Sequence, residues 1–343
     1  MRVKFKFAAC LPAVLAALIA ANTAVAQTPE QFYRGKTITM IIGFAVAGSL
    51  DAYGRLAARH LGNHIPGRPT IVVQNMPGAS GLTAANYLYH VAAKDGTVLG
   101  VVHPNSAFAQ VIGLRPSIKY DARKFNWVGR LTSSTSVFYT WHTSATKTLA
   151  DLMRRETVVG GIGPLTDGAI FSRMTNHVLG TKIKVIQGYK GTAAANAAME
   201  GGELEGLFNT WEGMKSFNAD WIRDKKINLV AQYVTARHPE LPDVPAIIET
   251  AKTDEQRQVI RLFLSVGEIG RHVLLPPDVP ADRVAAIRAA FVAMLKDPAF
   301  LADAKKAKLE LNPLDGAGLQ QINVDTFNVS AQVVATAQSI MKN

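Results

Sequence analysis

The chain has 343 residues, 48% of them hydrophobic and 18% charged, with a formal net charge of +11. That length holds two core-sized domains, and the composition is that of a soluble globular protein. Basic residues such as Lys182, Lys184 and Lys190 alternate with apolar ones instead of clustering, which describes solvated faces with a bias toward anions and argues against nucleic acid as a partner.

Residues 1–26 read as a secretory signal peptide: a basic start (Arg2, Lys4, Lys6), an apolar middle, and "AVA" before Gln27 as a cleavage pattern. Its removal lowers the formal charge from +11 to +8 and takes away Cys10, the one cysteine of the chain. Phe7-Ala8-Ala9 before Cys10 matches a lipoprotein cleavage box poorly, so ordinary cleavage near Ala26 is expected. The mature chain then has no disulfide, no thiolate metal site and no cysteine nucleophile. It has no run of about 18 apolar residues after Ala26, and is expected to be soluble outside the cytoplasmic membrane.

The first predicted element is the β-branched strand 37–44, followed by a loop of small residues and an amphipathic helix running to Leu61. Further strands are predicted at 70–75, 97–103, 157–163, 182–189, 204–210 and 227–234, with helix-like stretches between most of them. The alternation predicts α/β architecture with mostly parallel sheets. Near the end, Val284, Ile287, Phe291 and Met294 form one stripe of a helix that starts near Pro280 and is predicted to continue past Asp297.

Several chemistries lack their residues. "GGIGPLTDG" (160–168) imitates a dinucleotide fingerprint, but it lacks the third glycine, and no acid occurs between Asp167 and Glu200 to hold a ribose. There is no phosphate-cradling GxxxxGK[ST], no G-x-S-x-G elbow and no H-E-x-x-H, and the eight histidines read as isolated surface or core residues. Glu203 and Glu205 read as solvated carboxylates, not a catalytic pair. No cofactor, metal or catalytic residue is expected. What remains is two strand, loop and helix units, "GFAVAGSLD" (43–51) and "GIGPLTDG" (161–168). A helix N-terminus presents unpaired N–H donors and about half a positive charge, so two facing termini would hold a small carboxylate without an arginine. Alternatively, Ser49 and Asp167 simply cap their helices.

At these residues the chain resembles the solute-binding receptors of tripartite tricarboxylate transporters, also called Bug-type receptors. Their opening pattern is met by Phe44, Gly48, Asp51 and Arg55, while Gly43, Ala45 and Ala47 depart from it. Further matches are "QNMPGASG" (74–81), "KDGTVLG" (94–100), "YDARKFNWVG" (120–129), "TLADL" (148–152), "GYKGTAAANAAMEGGELEG" (188–206) and "RHPELPDVP" (237–245). The resemblance implies a type II periplasmic-binding-protein fold, α/β with two lobes, 35–131 plus 235–343 and 132–234, and a ligand cleft between them.

It also implies a monomer that binds a small organic acid and delivers it to the membrane subunits of a tripartite carrier. Presentation of the acid to a signalling kinase, or an enzyme on the same scaffold, are the alternatives. By the same likeness the ligand positions are Phe44, Ala45, Ala47, Gly48, Ser49 and Asp51 on one wall and Gly163, Pro164, Leu165, Thr166 and Asp167 on the other. His103, Asn105, Ser106, Tyr189, Gly191 and Thr192 are expected to supply further contacts. Pro164 offers no N–H donor where the family has one. With Trp141 and Trp211 nearby, the cleft is expected to admit a bulkier or aromatic acid, although Trp211 also suits a core position.

Overall fold

β-Branched and apolar runs collect into two sheets, one of six strands and one of five. In chain order the strands are β1 (Thr37–Ile42), β2 (Thr70–Asn75), β3 (Val98–Val101), β4 (Asn126–Thr132), β5 (Ser136–Trp141) and β6 (Glu156–Gly161). β7 (Lys182–Gln187), β8 (Gly206–Thr210), β9 (Ile227–Tyr233), β10 (Arg271–Leu275) and β11 (Leu314–Asp315) follow. The computed structural model describes Met1 and residues 27–342 apart from Ala47, Leu114 and Arg115, so the expected signal peptide with Cys10, and the expected ligand position Ala47, lie outside the described residues.

The first sheet has the order β11-β4-β10-β3-β1-β2 and the second β7-β6-β8-β5-β9. β1 runs parallel to β2 and β3, and β6 parallel to β7 and β8, as alternating strands and helices dictate. The rest is antiparallel: β10 against β3 and β4, β11 against β4, and β5 against β8 and β9. The sheets are therefore mixed rather than mostly parallel. Antiparallel partners need no helical crossover, and β4, β5, β9 and β10 flank the segments that pass between the two sheets.

The chain crosses from β4 to β5 through residues 133–135 and returns after β9. The Ser134 N–H donates to the Gly267 carbonyl at 2.9 Å and ties the outgoing segment to the returning one. In the return, the fully buried Gln232 amide donates to the carbonyls of Leu241 and Val244, at 2.9 and 2.7 Å, and holds the loop "RHPELPDVP" against β9. Helix Asp254–Ile269 then packs on helices Ser106–Val111 and Asp167–Leu179, which serve different sheets. One buried cluster accordingly runs from Leu82, Phe108 and Phe263 to Phe138, Val159 and Phe171. Each such side chain contributes about 1.5–3 kcal/mol by leaving water.

The last predicted helix is broken in two. Ala281–Met294 buries Val284, Ile287, Phe291 and Met294, and then Asp297 accepts from the Ala299 N–H at 2.8 Å to cap a new helix, Pro298–Lys306. Pro298 cannot continue a helix from before it but suits the first turn of one, which fixes the break. His60 and His64, spaced four apart, do not converge on a shared site. Each takes its own carboxylate from this region, Asp303 and Asp297, both at 2.9 Å.

Candidate ligand-binding site

A cavity of about 520 Å³ lies between the sheets, walled by both β-strand-to-helix loops and by the crossing segments. Nine expected ligand positions line it: Phe44, Ala45, Gly48, Ser49 and His103 from the first sheet's side, and Thr166, Asp167, Gly191 and Thr192 from the second. Ser49 opens helix Ser49–Leu61 and Asp167 opens helix Asp167–Leu179. Neither helix has a side-chain N-cap, so no capping side chain takes their first N–H groups.

The other expected positions are elsewhere. Asp51 is buried behind the loop: its carboxylate accepts both from Arg55 Nε, at 2.9 and 3.0 Å, and from Asn75 Nδ2 at 2.8 Å. The same Asn75 amide donates to the Phe44 carbonyl at 2.8 Å, so Asp51 anchors the loop. Asn105 donates to the Leu165 carbonyl, joining the two halves directly, and Gly163 abuts Ser80. Ser106 is buried, with its carbonyl accepting from the Tyr120 hydroxyl, and Pro164 is solvent-exposed and does not line the cavity. The Tyr189 hydroxyl donates to Glu203. Trp211 packs in a core cluster and donates its indole N–H to Glu240 at 2.7 Å, while Trp141 stands edge-on to Trp221. The rings that do line the cavity among the described residues are Phe44, His103, Phe171, Phe208 and Tyr233.

His103 packs on Phe44 with ring centroids 5.0 Å apart, and its Nδ1 accepts from the Asn105 N–H at 3.2 Å. Burial, with the Arg271 charge behind it, pushes its pKa down to about 3, so the ring is neutral. Gly81 makes this contact possible. Its φ of +87° suits glycine, and a Cβ there would stand 2.9 Å from the His103 Cβ and 3.2 Å from the Phe44 ring. Asp167 accepts a hydrogen bond from Ser136 Oγ, and burial raises its pKa above the usual carboxylate value.

One cavity residue had no sequence signal at all. Arg271, the first residue of β10 and 8% exposed, reaches the cavity wall. Its Nε donates to Ser49 Oγ at 3.1 Å and its Nη1 to Ser134 Oγ at 2.6 Å. Gly270 makes the turn that aims it: φ is +56°, and a Cβ would sit 2.1 Å from the Thr132 carbonyl. Among the described residues, Glu212, His238 and Glu310 bring ligand atoms within 4.8 Å of one another. The Lys215 ammonium already pairs with Glu310, and Glu212 accepts from the Thr135 N–H at 3.1 Å, so this cluster supplies its own compensating charge. No described helix is long and apolar enough to cross a membrane.

The chain is 26% identical over 250 residues to a UPF0065 protein from the gbd 5′ region of Cupriavidus necator, covering 70% of this chain and 71% of that one. It is 34% identical over 110 residues to protein BugT of Bordetella pertussis, covering 32% of this chain and 33% of that one. Among solved structures, Rpa4515 of R. palustris with adipate superposes with a TM-score of 0.68 at 18% identity, over 88% of this chain and 97% of that one, which establishes the shared fold. Residues 55–338 match the family described as the tripartite tricarboxylate transporter family receptor, TctC, and the chain belongs to that family.

Proposed function

We propose that the chain is a periplasmic receptor that captures a small organic carboxylate by closure of two lobes, 35–131 with 235–343 and 132–234, and delivers it to the membrane subunits of a tripartite carrier. It acts as a monomer and by binding alone, with no bond made or broken. The observation that carries this reading is a cavity of about 520 Å³ onto which two uncapped helix N-termini open, one from each sheet. Such termini favour anions, and a ligand touching both halves binds the closed state better than the open one. Adipate in the R. palustris structure is a small organic acid held by the same fold. The contacts proposed are Phe44, Ala45, Gly48, Ser49, His103, Thr166, Asp167, Gly191 and Thr192.

A thermal-shift screen of the chain from Gln27 onward tests this against mono-, di- and tricarboxylates, sugars, amines and nucleotides. An acid at 100 times its Kd is expected to add about 2.7 kcal/mol of stability. Shifts by sugars or amines with none by acids would overturn the reading. Gly48→Pro deletes one N–H at the helix start, where proline is otherwise tolerated, and is expected to weaken acid binding while leaving the melting temperature of the free protein nearly unchanged.

A further inference from the structure

Arg271 is a buried cation whose holders are neutral. Its Nε and Nη1 donate to the hydroxyls of Ser49 and Ser134, and Nη2 has no hydrogen-bond partner among the described residues. The buried Arg130 makes the contrast plain, with the Glu268 carboxylate 3.7 Å away and the Glu268 and Asn312 carbonyls as acceptors. Removing a guanidinium from water costs several kcal/mol unless an opposite charge compensates it. The acids that feel Arg271 are Asp167 and Glu212, but neither forms an ion pair with it: among the described residues Asp167 accepts from Ser136 and Glu212 from the Thr135 N–H. A ligand in the cavity is placed to supply the compensating charge, because Arg271 lines its wall.

The hydrogen-bond geometry says where. A serine hydroxyl that accepts from Arg271 keeps its own hydrogen to donate, and both serines line the cavity. Nη2, the two hydroxyls and the start of helix Ser49–Leu61 therefore converge as donors on one side. The facing wall is different in kind: it presents Phe171, Leu207 and Phe208 with the neutral Thr192 and Asn209, and its one cation, Lys190, is solvent-exposed. A second carboxylate on the ligand would meet rings and the Asp167 carboxyl there, with the start of helix Asp167–Leu179 to draw it but no buried cation.

Resting on the organic-acid reading above, we infer that Arg271 is the ligand's counter-ion and that the ligand is a monocarboxylate with an uncharged, ring-bearing body. The carboxylate docks on Arg271, Ser49 and Ser134, and the body lies between Phe44 of one half and Phe208 of the other.

Titration calorimetry of the chain from Gln27 onward with benzoate, phenylacetate and 3-phenylpropionate, their amides, and succinate and adipate tests this. At least one aryl acid is expected to bind at least tenfold more tightly than its amide and than either dicarboxylate. Arg271→Gln is expected to lose at least tenfold for that acid with the amide unchanged, and Arg271→Lys to lie between. Succinate or adipate binding as tightly as the best aryl acid, or Arg271→Gln keeping wild-type affinity, overturns this inference and leaves the organic-acid reading standing. Binding of no acid at all overturns both. Should Arg271→Gln not fold, the comparison of acid with amide on the wild-type chain decides alone.

Discussion

Two buried imidazoles, His103 and His272, have their pKa values pushed down, to about 3 and about 4, chiefly by burial and further by Arg271 beside them. An unfolded histidine titrates near 6.5, so between that value and each folded value the unfolded chain binds a proton that the native chain does not. The contribution of each histidine to stability is therefore full above about pH 6.5 and falls as pH falls, by about 1.4 kcal/mol per unit. Denaturant unfolding at pH 7, 6 and 5 is expected to show this slope, and His272→Asn to make it shallower. An identical slope in the variant would refute the assignment. Asp167 and Glu212, whose raised carboxyls act in the opposite sense, are common to both proteins and cancel in the comparison. Gly81→Ala puts a Cβ at φ +87° against His103 and Phe44. It is expected to cost about 1–3 kcal/mol in denaturant melts and to weaken ligand binding in calorimetry.

The first loop depends on an element it does not belong to. Asn75, the last residue of β2, bonds both the Phe44 carbonyl and the Asp51 carboxylate that holds Arg55. Asn75→Ala leaves that carbonyl and part of that carboxylate without a donor. An expected loss of about 1–3 kcal/mol in unfolding, with a weaker acid affinity, would separate an anchoring role from a purely local one. β1 and β2 were readable because their runs are short, β-branched and bounded by turns. β4 and β10 were not, because "NWVGRLT" and "RHVLL" contain arginines and yet are almost wholly buried. Periodicity reads a charged residue as a surface, whereas Arg130 and Arg271 find their acceptors on carbonyls and hydroxyls inside the molecule. Trp211, a large ring near a cleft sequence that suits a core position better than a ligand platform, packs in one buried cluster with Met214 and Trp221.

At the scale of the whole molecule, the contacts that join the halves include Asn105 on the Leu165 carbonyl, and Ser134 on the Gly267 carbonyl. Asn105 and Leu165 read as ligand positions because both sit on loops that resemble cleft loops in sequence; that they bond one another is invisible there because they stand 60 positions apart. The same distance problem hid Arg271, which is 222 positions from the Ser49 hydroxyl it holds. Because Ser134 belongs to the outgoing segment and Arg271 to the returning strand, an acid seated on both is expected to slow amide exchange at residues 133–135 and 266–270. Unchanged exchange there on addition of a saturating acid would contradict a ligand that grips the crossings.

The placement of Arg271 on the strand that runs against its neighbours separates building the cleft from choosing what enters it. The loops and helix starts are made by residues 43–51 and 161–168, and the residue that sets the charge of the cargo comes from a third, distant piece of chain. A change at that one position can alter which solute is scavenged without reworking either loop. Receptors built this way can diversify their diet one codon at a time.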